Sequence, residues 1–494
     1  MTALAESPRQ TGARFLMIWI VPVALLAAVS FAAPVLNDGD TFWHIAAGRW
    51  IIEHVRVPAT DPFSFTFLGH PWIAHEWLTE TLMAGAWLAG GWAGVMLLTA
   101  AALALTALLI GDWLLRWMGM TPAFLTIALA LACISPGILA RPHLTILPMM
   151  AFWTVQLLEA REAERAPPLW LALFMVLWAN LHSSFVVGFA IAFAFGLEAF
   201  LSPRTWSRKT LRGWAIFLDA LLIAMLMTPH GFDGVLFPLR VLNMKTLPLI
   251  TEWQSPDFMK LSTLELALLA GVFFGFWRGM KLTAIRALIV LGLIHMALQH
   301  ERQEVMLGAV APLILAEPAG RALGRAAAAP VRWAMPLPQT LLGGGLLIAA
   351  LVARLAVPQP RVDGPTAPIT AFAHVPAALR AQPVLNAYDF GGFLIFEGVR
   401  PYIDGRADMY GDNFVNVDSQ IQAGDGAALG RAIADYRIRW AILEPSLPVV
   451  GVLERTPGWT KLYEDRYAVV LQNTNAPTPS SPPPAPDRTS SVHG

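Results

Sequence analysis

The chain has 494 residues, of which 56% are hydrophobic and 14% are charged, and its formal net charge is zero at pH 7. Soluble domains usually carry about 25% charged residues, so this composition indicates a membrane protein. The zero net charge argues against a nucleic-acid partner. Cys133 lies within an apolar run. It is the one cysteine of the sequence, so an intramolecular disulfide is excluded.

The first apolar run extends from Phe15 to about Pro34 and follows a short segment that contains Arg9 and Arg14. The sequence Phe31-Ala32-Ala33 loosely resembles a signal-peptide cleavage site. However, the run is about 20 residues long, which suits a membrane span better. We therefore predict an uncleaved first span, with residues 1–14 as a cytoplasmic N-terminal segment.

Further apolar runs recur along the chain and are separated by short polar stretches. They predict a transmembrane domain over residues 15–357 with about eleven helices, several of them shorter than a full span. The predicted helices are 15–34, 92–112, 121–140, 144–160, 168–181, 184–201, 213–229, 261–277, 284–299, 304–317 and 338–357.

The positive charges of the connecting loops predict the orientation in the membrane. With the N-terminus inside, every even-numbered connection is basic. These connections hold Arg116, Arg161, Arg165, Arg204, Arg208, Lys209, Arg212, Arg278, Lys281, Arg286, Arg321, Arg325 and Arg332. The opposite connections are richer in His, Asp, Glu, Trp and Pro, and comparable polar clusters are absent from the inner loops. This pattern predicts a cytoplasmic N-terminus.

An odd number of spans leaves the C-terminus outside. Residues 361–473 combine short apolar runs with helix-like and turn-rich stretches, which predicts a small periplasmic α/β domain. The apolar runs are Pro383–Leu385, Trp440–Leu443 and Tyr467–Leu471. The tail, residues 474–494, is rich in Pro and Ser and is predicted to be disordered.

The predicted first outer loop, residues 35–91, begins with the most informative segment of the chain. Asp38 and Asp40 follow the first span directly, and His44 lies one helical turn beyond Asp40 if a helix starts there. Two close carboxylates can bind a divalent cation, or one can act as a general base while the other stays ionised. From local sequence alone, a helix N-cap is the favoured interpretation.

The rest of this loop is rich in Trp and His. Its tryptophans suit helices that lie in the membrane interface. They are Trp43, Trp50, Trp72, Trp77 and Trp87. His75-Glu76 begins like a zinc-protease helix, but Thr79 stands where that motif requires its second His, which excludes that class of enzyme.

Other polar clusters fall at the predicted outer ends of later helices. They contain Arg141, His143, Asn180, His182, His230, Glu252, His300 and Arg302. A helix cap or a buried hydrogen bond explains each of these residues by itself. Together they predict a cavity that opens outward, whose guanidinium groups suit an anion such as a lipid phosphate.

The motifs of these clusters resemble those of a widespread group of bacterial membrane proteins that is classed with the GT-C glycosyltransferases. The resemblance covers nearly the whole chain up to about residue 473. The matching stretches are Asp38-Gly39-Asp40-Thr41-Phe42-Trp43-His44, Gly48-Arg49-Trp50-Ile51, Asp61-Pro62-Phe63-Ser64, Gly69-His70-Pro71-Trp72, His75-Glu76-Trp77-Leu78, Ala140-Arg141-Pro142-His143, Trp178-Ala179-Asn180-Leu181-His182, Glu252-Trp253-Gln254-Ser255-Pro256-Asp257-Phe258 and Ile403-Asp404-Gly405-Arg406-Ala407-Asp408.

This resemblance implies a many-helix bundle with juxtamembrane helices in a long first outer loop and, in many members, a C-terminal periplasmic domain. It also implies a polyprenyl-phosphate sugar donor and transfer to a glycan, lipid or protein acceptor outside. The family's essential acid maps onto Asp38 or Asp40. Many members carry Asp-Glu where this chain has Asp38-Gly39-Asp40, which leaves open which Asp acts and whether Mg²⁺ or Mn²⁺ bound to both is needed.

The resulting hypothesis is a membrane glycosyltransferase in which Asp38 or Asp40 is catalytic. The proposed substrate- and phosphate-binding residues are His44, His75, Glu76, Arg141, His143, Asn180, His182, His230, Glu252, His300 and Arg302. Two other function classes remain open. One is a transporter or flippase for a lipid-linked or anionic substrate. The other is a non-catalytic envelope assembly protein that binds partners through residues 361–473.

Overall fold

The structure is a computed structural model that describes residues 12, 14–202, 207–325 and 335–475. Most of the predicted cytoplasmic segment 1–14 and most of the predicted tail 474–494 lie outside the described residues. The predicted loop residues Arg204 and Arg332 lie outside them as well.

The described residues form two units, and the chain passes between them several times. The first, called the helical unit here, comprises the described parts of Met1–Leu36, Ala47–Glu53 and His75–Pro360. The second, called the αβ unit, comprises Asn37–Ala46, His54–Ala74 and the described part of Arg361–Gly494. The sequence-based division grouped the first outer loop, 35–91, with the transmembrane domain, whereas two pieces of that loop cluster with the C-terminal residues.

Fourteen α-helices precede residue 357 among the described residues. They are α1 Val21–Ser30, α2 Asp40–His54, α3 Trp77–Trp117, α4 Met120–Ile134, α5 Pro142–Thr145, α6 Leu147–Glu162, α7 Leu171–Leu181, α8 Phe185–Leu201, α9 Arg208–Met225, α10 Gly231–Leu242, α11 Thr263–Arg278, α12 Ala284–Gln299, α13 Glu304–Ala322 and α14 Leu337–Ala356. A π-helical turn, Leu16–Ile20, leads into α1. In the helical unit, α13 packs against α3, α4, α6 and α12.

Each predicted span coincides with a helix, and α12 has the predicted bounds. Within the described residues, four helices are long and apolar enough to cross a membrane. These are Trp77–Trp117, Met120–Gly137, Glu301–Ala322 and Leu337–Ala356. Several others are apolar but shorter, so the number of eleven spans stays a prediction. Helix α10 has no counterpart among the predicted helices.

Helix α3 is interrupted near the point where a span was predicted to begin. Gly90 and Gly91 have non-helical backbone angles, and Gly91 has φ 57° and ψ −145°. A residue with a Cβ rarely adopts such angles, so the glycine pair permits the kink. The stretch before it, from Trp77, belongs to the predicted first outer loop and is helical, and its place beside the membrane stays a prediction.

Basic residues of the predicted inner connections form ion pairs in the structure. Arg161 Nε lies 3.0 Å from Glu198 Oε2, and Arg286 Nε lies 3.2 Å from Glu198 Oε1. Arg286 also pairs with Glu317 at 2.7 Å, and Glu317 pairs with Arg321 at 2.5 Å. The acidic partners lie inside helices and not in the loops, so a count of loop charges did not include them.

The αβ unit contains a four-stranded sheet with the order β1-β2-β4-β3. Its strands are β1 Val384–Asn386, β2 Trp440–Leu443, β3 Trp459–Glu464 and β4 Val469–Asn473. Strands β1 and β2 are parallel, and the other two pairs are antiparallel. The three predicted apolar runs correspond to β1, β2 and β4. Strand β3 was not predicted because most of its residues are polar or exposed.

Six short helices complete the C-terminal part of this unit. They are α15 Ile369–Ala373, α16 Ala377–Arg380, α17 Gly391–Phe396, α18 Ala407–Gln422, α19 Gly426–Tyr436 and α20 Pro448–Arg455. The buried Asn386, at the end of β1, donates to the carbonyl of Ile403 at 2.8 Å and accepts from the Tyr402 backbone N–H at 2.8 Å. This side chain therefore fixes the segment that leads into Asp404-Gly405-Arg406.

Candidate functional site

Two guanidinium groups of the helical unit hold one carboxylate between them. Arg141, just before α5, pairs with Glu252 Oε2, and Arg302 Nη1 donates to Glu252 Oε1 at 2.8 Å. Burial by itself would raise the pKa of Glu252, but the charges of Arg141 and Arg302 outweigh it and lower this pKa to about 2. Glu252 is therefore an anion at any physiological pH. We call these three residues the arginine clamp.

Neighbouring groups fix the geometry of the arginine clamp. The Arg302 guanidinium lies over the Trp253 ring, 4.6 Å from its centroid. His300 Nδ1 lies 2.6 Å from the Trp253 carbonyl oxygen, and the Glu301 backbone N–H donates to the Gln254 carbonyl at 3.0 Å. The short helix Thr251–Trp253 is thus attached to the turn before α13.

His143 and His182 are buried imidazoles of the same unit. Burial, followed by the charge of Arg302, lowers the pKa of His143 to about 4, and its Nε2 lies 3.0 Å from the Gly137 carbonyl. Burial lowers the pKa of His182 to about 3, although the Glu76 carboxylate opposes this change. The charges of Arg302 and His143 also lower the pKa of His182, so these groups are within electrostatic reach of each other. Both imidazoles are neutral at pH 7.

Glu76 and His182 lie close together. His182 Nε2 lies 3.2 Å from Glu76 Oε1, and the Ser184 backbone N–H donates to His182 Nδ1 at 3.0 Å. Because Nδ1 is an acceptor, the proton of the neutral ring is on Nε2, the nitrogen near Glu76. His75 Nε2 lies 3.5 Å from the same carboxylate oxygen, and its ring stacks on Phe237.

Asn180 and His230 lie at the ends of helices in the helical unit. Asn180 accepts from Trp77 Nε1 at 2.9 Å and donates to the carbonyls of Val176 and Met227. It therefore joins the end of α7 to α3 and to the segment after α9. His230 is the residue that precedes α10, and its side chain forms no cap hydrogen bond.

Asp38 and Asp40 belong to the αβ unit and differ in environment. Asp38 is 4% exposed, and its Oδ1 accepts from the Asp40 backbone N–H at 2.7 Å, at the start of α2. Asp40 is only partly buried, and its Oδ1 accepts from Trp43 Nε1 at 3.0 Å. Asp38 thus accepts the backbone N–H of the first residue of α2, whereas Asp40 is the less buried of the two aspartates. His44 is 3% exposed and packs against the Trp43 ring.

Asp38 and Asp40 each use one carboxylate oxygen to accept an N–H group, and each has a second carboxylate oxygen. A divalent cation bound to both carboxylates stays a prediction. In the part of the chain that the structure describes, no group of three or more His, Cys, Asp or Glu residues could hold a metal ion.

Sequence reasoning assigned no role to a second cluster of the αβ unit. Arg406 lies between Asp404 and Asp61, and Tyr410 donates to Asp404 at 2.7 Å. These residues lie in motifs that carry the family resemblance, Asp61-Pro62-Phe63-Ser64 and Asp404-Gly405-Arg406. Their positions in those motifs were the available signal, but their pairing could not be read from either stretch alone.

The fold is similar to that of two solved structures of one enzyme. The crystal structure of ArnT from Cupriavidus metallidurans bound to undecaprenyl phosphate matches with a TM-score of 0.51 and 15% identity, over 92% of this chain and 97% of that one. Its apo state matches with a TM-score of 0.52 and 15% identity, over 93% and 99%. At this identity the likeness concerns the fold alone, so this chain has a fold like that of ArnT.

A weaker match is the crystal structure of the Archaeoglobus fulgidus oligosaccharyltransferase in the apo form. Its TM-score is 0.46 and its identity is 11%, over 88% of this chain and 68% of that one. No protein-family model and no curated protein matches the chain.

Proposed function

We propose that this protein is a membrane glycosyltransferase that takes a sugar from a polyprenyl-phosphate donor and passes it to an acceptor on the periplasmic side of the inner membrane. The arginine clamp is the observation that carries the proposal. Two guanidinium groups that hold an anion in the helical unit suit the phosphate of such a donor. The fold of ArnT, whose crystal structure contains undecaprenyl phosphate, supports the same ligand class.

The clamp suggests how the phosphate binds. In the ligand-free chain, the Glu252 carboxylate occupies both guanidinium groups. A lipid phosphate has the same charge sign and the same capacity for paired hydrogen bonds, so it would take the place of this carboxylate. Arg302 stays oriented meanwhile by its stacking on Trp253.

The proposed reaction exchanges one C–O bond of the sugar for another. The acceptor oxygen forms a bond with the anomeric carbon, and the bond between that carbon and the phosphate oxygen breaks. The acceptor proton passes to Asp40, which is the more exposed of the two aspartates. The polyprenyl phosphate leaves with the bonding electron pair, and Arg141 and Arg302 stabilise its charge. Asp38 positions Asp40 by accepting its backbone N–H at the start of α2.

Single Asp→Asn variants test this assignment, because Asn keeps an oxygen that can accept a cap hydrogen bond but is not a base. Membranes that contain the full chain would be supplied with a panel of radiolabelled polyprenyl-phosphate sugars, with and without EDTA, and label in the acceptor fraction would be measured. We expect D40N to lower transfer by about 10²–10⁴-fold and D38N by less than about tenfold. Loss of transfer in EDTA would show that a divalent cation is needed.

The exposed Asp233, which pairs with Arg240, provides the control variant D233N. Undiminished transfer by a D38N/D40N double variant would contradict the mechanism. A larger loss in D38N than in D40N would assign the base to Asp38 instead. Movement of intact donor across the membrane of proteoliposomes, without label in any acceptor, would favour a flippase.

A further inference from the structure

The αβ unit contains a buried cluster of charges that the proposed reaction does not use. Arg406 is 1% exposed, and its Nε and Nη2 donate to the two oxygens of Asp404, each at 2.7 Å. Its Nη1 donates to Asp61 Oδ1 at 2.7 Å, and the Tyr410 hydroxyl donates to Asp404 Oδ2 at 2.7 Å. Each of the three guanidinium nitrogens thus donates to a carboxylate.

Aromatic rings extend from this cluster to Asp40. The Arg406 guanidinium lies 4.8 Å from the centroid of the Trp72 ring, and Trp72 meets the edge of Trp43 at a centroid distance of 6.3 Å. Trp43 in turn donates its Nε1 hydrogen to Asp40 Oδ1 at 3.0 Å. A continuous series of contacts therefore runs from Arg406 to the proposed base.

Glycines without side chains let the backbone of the C-terminal part approach the same carboxylate. A Cβ built on Gly405 would overlap Asp40 Oδ1 and would lie 3.1 Å from Trp43 Nε1. A Cβ on Gly392 would overlap the Gly39 carbonyl oxygen, and one on Gly39 would lie 2.5 Å from the Asp389 carbonyl oxygen. The Asp38-Gly39-Asp40 segment is therefore enclosed by backbone on both sides.

A buried ion pair is a weak source of stability, because desolvation offsets most of its attraction. Its directional bonds, however, specify one arrangement of the groups around it. Arg406 joins residues of the first loop to residues near the C-terminal sheet, and Gly405, next to it in sequence, contacts Asp40.

We propose that Gly405 and the Asp61–Asp404–Arg406 cluster are positioning residues that orient the Asp40 carboxylate for the transfer reaction. Residues 361–475 thereby serve the catalytic aspartate and do not form a separate binding module. This inference rests on the proposed function for its kinetic consequence, whereas its structural consequence can be measured without any activity.

The variant G405A tests the proposal, and G430A is its matched control. Gly430 lies in α19 of the same unit, and a Cβ there would meet no atom within 4 Å. We expect G405A to lower kcat by about 10²-fold with KM for the donor within about twofold, since a 1 Å displacement of a catalytic group has an effect of this size. G430A should keep the kcat of the unaltered chain.

Hydrogen–deuterium exchange of the full-length protein in nanodiscs provides the second measurement. In G405A, we expect faster amide exchange in residues 38–46 and unchanged exchange in β2 and β4, which would show that the sheet is still folded. The variant R406K keeps the positive charge but lacks the planar guanidinium group that bonds to Asp404 and Asp61. We expect faster exchange in residues 38–46 together with a lower kcat.

The outcomes separate the two proposals. Faster exchange in residues 38–46 in a protein that transfers no sugar would support the positioning and reject the proposed function. Unchanged exchange and an unchanged kcat in G405A would overturn the positioning proposal, whatever the activity. Equal losses in G405A and G430A, or faster exchange throughout the sheet, would also overturn it, because the effect would then be general destabilisation.

Discussion

At the scale of single residues, the Glu252 carboxylate occupies the two guanidinium groups that we propose bind the donor phosphate. Glu252 is ionised because Arg141 and Arg302 keep its pKa at about 2, despite burial that would raise it. Its folded-state pKa is depressed, so the stabilisation it contributes is present above the pKa of the unfolded chain and is lost only as the pH falls towards 2. Glu252 therefore stays paired with Arg141 and Arg302 throughout the physiological pH range.

The variant E252Q should bind polyprenyl phosphate more tightly, because the incoming phosphate no longer competes with a carboxylate for the two guanidinium groups. We expect the Kd for undecaprenyl phosphate to fall by about tenfold, which corresponds to about 1.4 kcal/mol. Binding to the purified protein in nanodiscs can be measured by native mass spectrometry. The control D233N removes the carboxylate of an exposed Arg–Asp pair and should leave this Kd unchanged. Weaker binding in E252Q would mean that Glu252 supports the site and does not compete for it.

At the scale of secondary-structure elements, the kink of α3 depends on backbone conformation and not on side-chain packing. Gly91 has φ 57°, and a Cβ added there would meet no atom within 4 Å. Gly85 lies in the same helix, and a Cβ there would also meet no atom within 4 Å. The two positions therefore differ in backbone strain and not in available space.

We expect G91A to lower the free energy of unfolding by about 1–3 kcal/mol, the usual cost of holding a residue with a Cβ in such a conformation. G85A should be neutral or stabilising by about 0.5–1 kcal/mol, because alanine is favoured over glycine within a helix. Thermal unfolding of both variants in the same detergent provides the comparison. Equal melting temperatures for the two variants would show that the kink does not require glycine at position 91.

At the scale of the whole molecule, the ion pairs around Glu198 connect helices that are distant in sequence. Glu198 in α8 holds Arg161 of α6 and Arg286 of α12, and Thr283 donates to the same carboxylate at 2.7 Å. Arg286 continues the network to Glu317 in α13. Removing the central carboxylate would leave two buried guanidinium groups with too few acceptors.

We therefore expect E198Q to destabilise the protein by about 3–5 kcal/mol, which is typical when one partner of a buried ion pair is removed. The matched change D233N, in an exposed pair, should alter stability by less than about 1 kcal/mol. Thermal unfolding in detergent at low and high salt measures both effects. A loss in E198Q that is as small as the loss in D233N would contradict a stabilising role for this network.

The sequence by itself determined the membrane class, the approximate positions of the apolar helices and three of the four strands. It also singled out the polar residues of the clamp. These features are local, since hydropathy and apolar periodicity depend on neighbouring residues in the chain. Of the elements that were not predicted, β3 lacks that local signal because it is mostly polar or exposed, whereas α10 has apolar residues at helical spacing but contains Pro238, which is unusual inside a helix.

Only the tertiary structure decided which of the singled-out residues are partners. Glu252 is separated from Arg141 by 111 positions and from Arg302 by 50, and Arg406 is separated from Asp61 by 345. The same holds for Asp38 and Asp40, which are equivalent by composition but differ in burial and in hydrogen-bond donors. Partner choice depends on how distant segments fold against each other, and no local pattern encodes that. The carboxylates and guanidiniums were therefore visible in the sequence, whereas their pairing was not.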